Sequence, residues 1–253
     1  MKRVVTAAIL APLVLAAVLG PWFLPFAVAV TAVAVLCHLE YVGLAGLRQH
    51  PLAVAGGAAA GLFLLWSPRF TVLTLVGVAL IALALSLRQE STVRMLPDAA
   101  AAVFGILYCF GPWLCARLLR DISPYWLVYA LAVNWIGDIA AYYGGSRWGR
   151  RKLAPQISPG KSWEGAAASV AGSVVFGLVF ARTFLPAAGL AEILGLSVAA
   201  NVAGQLGDLC ESAIKRGAGS KDSGAFLPGH GGMLDRVDAS LFTLPVVYLW
   251  LGR

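Results

Sequence analysis

The sequence predicts an all-α membrane protein: a polytopic helix bundle of about nine spans with its N-terminus in the cytoplasm. Three observations predict it. Hydrophobic residues make up 60% of the chain and charged residues 12%, where a soluble globular chain carries about 25% charge. So little charge cannot coat a soluble surface. Apolar runs long enough to cross a bilayer recur along the whole length. Finally, Lys and Arg divide unevenly when the spans are laid alternately across a membrane.

The first span covers residues 4–20, behind Lys2 and Arg3. It has the form of a signal peptide, but another apolar segment starts at Trp22, so it reads as a membrane helix. The spans that follow cover residues 22–37, 52–66, 70–87, 99–116, 125–138, 165–185, 190–207 and 239–251. Alternation from a cytoplasmic N-terminus places fourteen Lys and Arg inside and leaves five outside: Arg69, Arg117, Arg120, Arg182 and Arg253. That asymmetry follows the positive-inside rule. The spans are rich in Ala, Gly and Val, which let helices pack closely in lipid. The layout divides the chain into N-terminal membrane helices over 1–120 and a catalytic membrane region over 121–253. The second region carries two long cytoplasmic segments, 142–164 and 208–238, that hold much of the charge.

The formal charge of +7 does not indicate nucleic acid, because no basic stretch interleaves with aromatics on a soluble module. In a membrane protein such an excess sets topology and attracts anionic lipid headgroups. Cys37, Cys109, Cys115 and Cys210 form no Cys-x-x-Cys pair. They read as small buried hydrophobes, with neither a disulfide nor a zinc site expected.

If the eighth span continues as a helix beyond Gly207, then Asp208, Glu211, Ser212 and Lys215 fall at i, i+3, i+4 and i+7. That puts two carboxylates, a hydroxyl and an ammonium on one face. An amphipathic helix end with a Glu211–Lys215 pair accounts for part of this. Asp208, however, sits at the edge of the apolar core, where a carboxylate is costly unless paired or metal-bound. Asp235 and Asp238 lie three apart just before the last span, and a helix N-terminus favours acidic residues. That explains one aspartate but not the ensemble of Lys221, Asp222, His230, Asp235, Arg236 and Asp238. Gly229, Gly231 and Gly232 let the backbone approach a ligand. Mg²⁺ prefers hard oxygens and takes one or two protein carboxylates plus phosphate oxygens. Asp208 and Asp235 can supply those carboxylates, and Lys215, Arg216, Lys221 and Arg236 can neutralise phosphates.

In the other segment, Gly160-Lys161-Ser162 has the ending of a P-loop. The glycine required five positions earlier is Pro155, and no soluble strand precedes it, so a Walker motif is rejected. Ser162 can still N-cap the next helix, and the loop can offer cations and hydroxyls to phosphates. Asp138, near Asn134, points either into the same polar cavity or into the headgroup layer. Glu40 and Tyr41 can face the site. His38 and His50 have no partner legible in the sequence.

The stretch from Ser212 to Asp238 resembles the phosphatidate cytidylyltransferases, also called CDP-diglyceride synthetases. The pattern is Ser-x-apolar-Lys-Arg, four residues, Lys-Asp-x-Gly, then Pro-x-His-Gly-Gly-apolar-x-Asp-Arg-x-Asp. It is filled without a gap by residues that include Ser212, Lys215, Arg216, Lys221, Asp222, Gly224, Pro228, His230, Asp235, Arg236 and Asp238. The loop from Leu153 to Gly165 is also similar to the family. After Asp138 the chain reads Ile139-Ala140-Ala141-Tyr142, and Ala167-Ala168 stand where glycines are common; both are small departures.

The resemblance implies a bacterial inner-membrane, multi-pass enzyme that uses CTP and phosphatidic acid and releases CDP-diacylglycerol and pyrophosphate. It implies Mg²⁺ held by Asp208 and Asp235, and it extends to a second cation, K⁺, and to a homodimer. Asp208, Asp235, Lys215, Lys221 and Asp238 are expected to be catalytic. Ser158, Lys161, Ser162, Glu211, Ser212, Arg216, Asp222, His230, Gly231, Gly232 and Arg236 are expected to bind substrate. The alternatives are an archaeal-type lipid cytidylyltransferase or a polyprenol kinase. A transporter is disfavoured because its charges belong near the midplane of broken helices.

Overall fold

The computed structural model describes residues 12–67, 69, 71–87, 92–224, 226 and 231–252. Among these, residues 12–19 are helical and eight further helices follow: α1 (Phe23–Leu44), α2 (Pro51–Trp66), α3 (Val72–Ser86), α4 (Thr92–Ile122), α5 (Pro124–Trp148), α6 (Trp163–Phe184), α7 (Leu190–Gly217) and α8 (Leu234–Leu251). Lipid leaves no other economical way to satisfy the backbone of a chain this apolar. Four of the described helices, α1, α4, α6 and α7, are long and apolar enough to cross a membrane, while α2 and α3 are apolar but shorter. The protein is therefore a multi-pass membrane protein.

The fold is helical as expected and adds one short hairpin, in which β1 (Lys152–Ala154) and β2 (Ser158–Ser162) pair antiparallel. Two expectations are corrected. The segment 142–164 is not all loop, since α5 runs on to Trp148. Polarity ended the apolar run there, but backbone hydrogen bonding carries a helix past the lipid boundary. Cys210 is exposed, unlike the buried Cys37 and Cys109. The division at 120/121 falls within the last turn of α4.

The C-terminal half is an antiparallel series. Tyr125 stacks on Phe184 and Tyr129 on Phe176, so α5 and α6 run oppositely. A Cβ on Gly207 would lie 2.6 Å from the Asp238 carbonyl oxygen, and one on Gly195 would lie 3.2 Å from Trp250. These two approaches set α7 against α8. A buried polar ladder binds the four helices. The Asn201 amide donates to Ser169 (3.0 Å) and Ser173 (2.8 Å), and Gln205 donates to Asn201 (2.7 Å). Asn134 donates to Thr243 at 2.9 Å, and Thr243 reaches the Ala200 carbonyl at 3.0 Å. Such bonds align helices where the apolar surroundings give no preference.

In the N-terminal half, α4 packs on α1, α2 and α3 and also on α8. Tyr41 donates to the Ala101 carbonyl (3.0 Å), and Tyr108 meets Phe242 edge-on. At the end of the bundle opposite Glu40, the Arg120 guanidinium donates to the carbonyls of Val18 (3.0 Å) and Gly20 (2.8 Å). Arg117 lies over Trp66.

Candidate active site

Helix α7 continues to Gly217, so its polar face forms as the spacing requires. Ser212 turns back to Asp208 (3.4 Å). The Lys215 ammonium lies 2.6 Å from Glu211 and 2.5 Å from Asp235 of α8. This trio is almost sealed, with side-chain exposures of 12% for Lys215, 0% for Glu211 and 10% for Asp235. One cation thus serves two buried carboxylates, and the uncompensated charge is negative. The free oxygen of Asp235 accepts from the Gly232 amide (2.7 Å) and from the amide and hydroxyl of Ser223 (both 3.0 Å). Burial opposes ionisation of Asp235, but Lys215 and those amides outweigh it and hold the carboxyl below its ordinary value. Glu211 Oε1 is buried without a hydrogen-bond partner.

Helix α8 has no side-chain cap of its own at Met233. The cap comes from Glu40 of α1, far away in sequence. Its Oε1 accepts from the Met233 amide (2.8 Å), and its Oε2 accepts from the Leu234 amide (2.8 Å) and the Ser223 hydroxyl (2.8 Å). These amides are first-turn donors that a helix cannot satisfy internally, and the carboxylate also complements the helix dipole. Sequence reasoning gave Glu40 only the possibility of facing the site. The available signal was a carboxylate near the end of an apolar run.

A second pocket lies beside this one. It is a cavity of about 240 Å³ between α5, α6, α7 and the hairpin, lined by Asp138, Lys161, Ser162, Asn201, Gln205 and Asp208 among others. Lys161, near the end of β2, reaches Asp208 at 2.6 Å. Ser162 caps α6 by accepting from the Gly165 amide (3.1 Å). Glu164 accepts from the Arg150 (3.1 Å) and Arg151 amides and so ties the hairpin to α6. With its own amide and that of Arg150 donating, Glu164 is held below its ordinary pKa. Asp138 therefore faces the cavity rather than only a headgroup layer.

The remaining expected residues gather at the same end. Ser158 is half-buried in β2; Lys221, Asp222 and Arg236 are exposed; Gly231 (φ +77°) and Gly232 flank Asp235. Arg216 donates to the carbonyls of Ile157 (3.5 Å) and Ser220 (3.3 Å), linking the end of α7 to the hairpin. Asp238 accepts from the Ala239 amide at 2.8 Å. His230 lies outside the described residues.

Asp208 and Asp235 sit on touching antiparallel helices. With Gly207 level with Asp238, the two aspartates differ by roughly 3 Å along the axis at about 1.5 Å per residue. Each nevertheless ends on a different lysine, Asp208 on Lys161 and Asp235 on Lys215. Among the described residues, no group of three or more His, Cys, Asp or Glu is arranged to hold a metal by itself. The donors are hard carboxylate oxygens, and Glu211 Oε1 is a buried oxygen without a partner. That chemistry fits Mg²⁺ completed by substrate phosphates better than an all-protein cage.

A model of the family described as Cytidylyltransferase family matches residues 1–252. The chain is 42% identical over 149 residues to the phosphatidate cytidylyltransferase of Brucella suis biovar 1 (strain 1330), covering 58% of this chain and 55% of that protein. It is 43% identical over 156 residues to that of Bacillus subtilis (strain 168), covering 60% and 56%. It is 32% identical over 186 residues to that of Staphylococcus haemolyticus (strain JCSC1435), covering 74% and 71%. The match thus spans little more than half the length of the Brucella and Bacillus proteins.

Proposed function

Because the chain belongs to the cytidylyltransferase family, we propose that it transfers the cytidylyl group of CTP to phosphatidic acid, giving CDP-diacylglycerol and pyrophosphate. The observation that carries this reading is the pair of lysine–carboxylate contacts, Lys161–Asp208 and Lys215–Asp235, at one end of the bundle. Such a site can exchange its internal ion pairs for phosphates and a cation.

Asp208 and Asp235 would hold Mg²⁺, which supplies charge neutralisation on the CTP phosphates. Lys161 and Lys215, drawn from their carboxylates, turn toward phosphate oxygens. Arg216, Lys221 and Arg236 add positive charge, and the amides around Gly231 and Gly232 offer donors. Ser158, Ser162, Ser212 and Asp222 line the approach, with His230 as a phosphate contact. The phosphate monoester of phosphatidate is already anionic, so no strong base is needed. Its oxygen attacks the α-phosphorus of CTP in line. The new P–O bond forms as the bond to the β-phosphate bridging oxygen breaks, and pyrophosphate leaves with that electron pair. Asp238, beside Asp208 and Asp235, would add negative charge that favours a cation there. Positioning and charge stabilisation carry such transfers.

The same reading takes the chain as an inner-membrane protein of about nine spans with its N-terminus and this site on the cytoplasmic side. It includes a K⁺ ion beside Mg²⁺ and a homodimer. The test uses detergent-purified protein with phosphatidic acid, Mg²⁺ and CTP labelled at the α- or the γ-phosphate. The α-label is expected in the lipid phase as CDP-lipid, with pyrophosphate released and no product when Mg²⁺ is chelated. Transfer of the γ-label to lipid would instead identify a lipid kinase, and activity restricted to ether lipids would identify the archaeal-type reaction.

A further inference from the structure

We infer that Glu40 is a positioning residue that clasps both ends of the loop joining α7 to α8, and so fixes Asp235 and Ser223 for phosphate chemistry. The inference rests on the function proposed above and adds to it a residue from outside the matched motif.

One carboxylate reaches both feet of this loop. On the near foot it receives the Ser223 hydroxyl (2.8 Å); on the far foot it receives the amides of Met233 and Leu234 (2.8 Å each). Gly224 and Gly232 both approach it closely. A Cβ on Gly224 would lie 2.7 Å from Glu40 Oε1, and one on Gly232 would meet Glu40 Oε2 and Ser223 Oγ. Only glycine allows that approach on both sides. The Ser223 hydroxyl has one proton and faces two carboxylates, Glu40 at 2.8 Å and Asp235 at 3.0 Å. Glu40 is therefore coupled to Asp235 through Ser223, and a second time through the backbone of the turn that starts α8. Asp235 in turn holds Lys215. The path Glu40–Ser223–Asp235–Lys215 joins α1, the loop, α8 and α7.

A carboxylate suits this place because all three groups facing it donate. A glutamine would present its NH₂ to donors on one side, and an aspartate is one methylene too short to reach both feet. Displacing Asp235 by an ångström matters more to the reaction than to the fold, since misplacement on that scale can cost about 100-fold in rate.

The experiment compares Glu40→Gln, Glu40→Asp, Ser223→Ala and the double variant Glu40→Gln/Ser223→Ala with the wild type, per folded molecule. The measurements are kcat, KM for CTP, and amide hydrogen exchange at residues 221–224 and 231–234. Glu40→Gln is expected to lower kcat roughly 100-fold and to speed exchange at Met233 and Leu234, while exchange in α5 and α6 stays unchanged. In the Ser223→Ala background the same substitution should cost less, because the two share one path. A purely structural cap would lower the thermal midpoint but leave kcat and KM of the folded fraction within about twofold of wild type, and that result overturns the inference. The exchange readout needs no substrate: unchanged protection at Met233 and Leu234 overturns the clasp even if no lipid product forms. Absence of CDP-lipid from the wild type would instead strike the proposed function and leave the clasp to be judged by exchange alone.

Discussion

Replacing Lys215 by Met tests the charge arrangement most sharply. The ammonium is 12% exposed and sits between Glu211, at 0%, and Asp235, at 10%. Removing it leaves two carboxylates facing each other. They do not suffer equally. Asp235 keeps its donors from Ser223 and Gly232, whereas Glu211 Oε1 has none. The penalty therefore falls on Glu211. Deleting one partner of a buried pair costs about 3–5 kcal/mol, because the remaining charge is uncompensated in a poorly polarisable site. Lys215→Met should lose that much stability, measured by reversible denaturation in a fixed detergent. Adding Glu211→Gln should return most of the loss without restoring the proposed CDP-lipid synthesis, because the Lys215 ammonium assigned there to phosphate is still gone. The reasoning is refuted if Lys215→Met changes stability by less than about 0.5 kcal/mol, as an ordinary surface substitution does, or if Glu211→Gln fails to restore it.

Two other outcomes follow from the same contacts. Gly207→Val should wedge α7 from α8, because its Cβ would lie 2.6 Å from the Asp238 carbonyl; a loss of about 1–3 kcal/mol is expected for such overpacking, read as a lowered thermal midpoint, and an unchanged midpoint would contradict the close approach. Asp235 is held below its ordinary value by Lys215 and two amides against the opposing effect of burial. Its contribution is thus present above the unfolded value of about 3.9 and is lost as pH falls through the lower folded value. Asp235→Asn should accordingly flatten the acid limb of the stability profile, and an unaltered limb would count against the assignment.

What the sequence made legible was local. The i, i+3, i+4, i+7 spacing from Asp208 to Lys215 became one helix face, and the Glu211–Lys215 pair formed as expected. Ser162 became the cap of α6 for the same reason: an N-cap acts within three residues. The misses were of two kinds. The charge of Asp138 was taken as the end of the apolar run, so α5 was cut short although its backbone had no cause to stop before Trp148. The hairpin around Pro155 and Pro159 carried no alternation strong enough to announce strands. The rest was long-range. Glu40 finds Ser223 and α8 across most of the chain, and Asn201 finds Ser169 and Ser173 on the neighbouring helix. Spacing cannot reveal such meetings, because they depend on how helices are rotated against one another.

The decisive measurement is the initial rate of lipid labelling from α-labelled CTP in the wild type, Asp208→Asn and Asp235→Asn, each purified and eluting as the wild type does. Both substitutions should reduce labelling to background on the proposed reading, since each removes a carboxylate charge that is paired with a lysine in the resting site. Near-normal labelling by purified Asp235→Asn would show that phosphate transfer does not depend on this cluster.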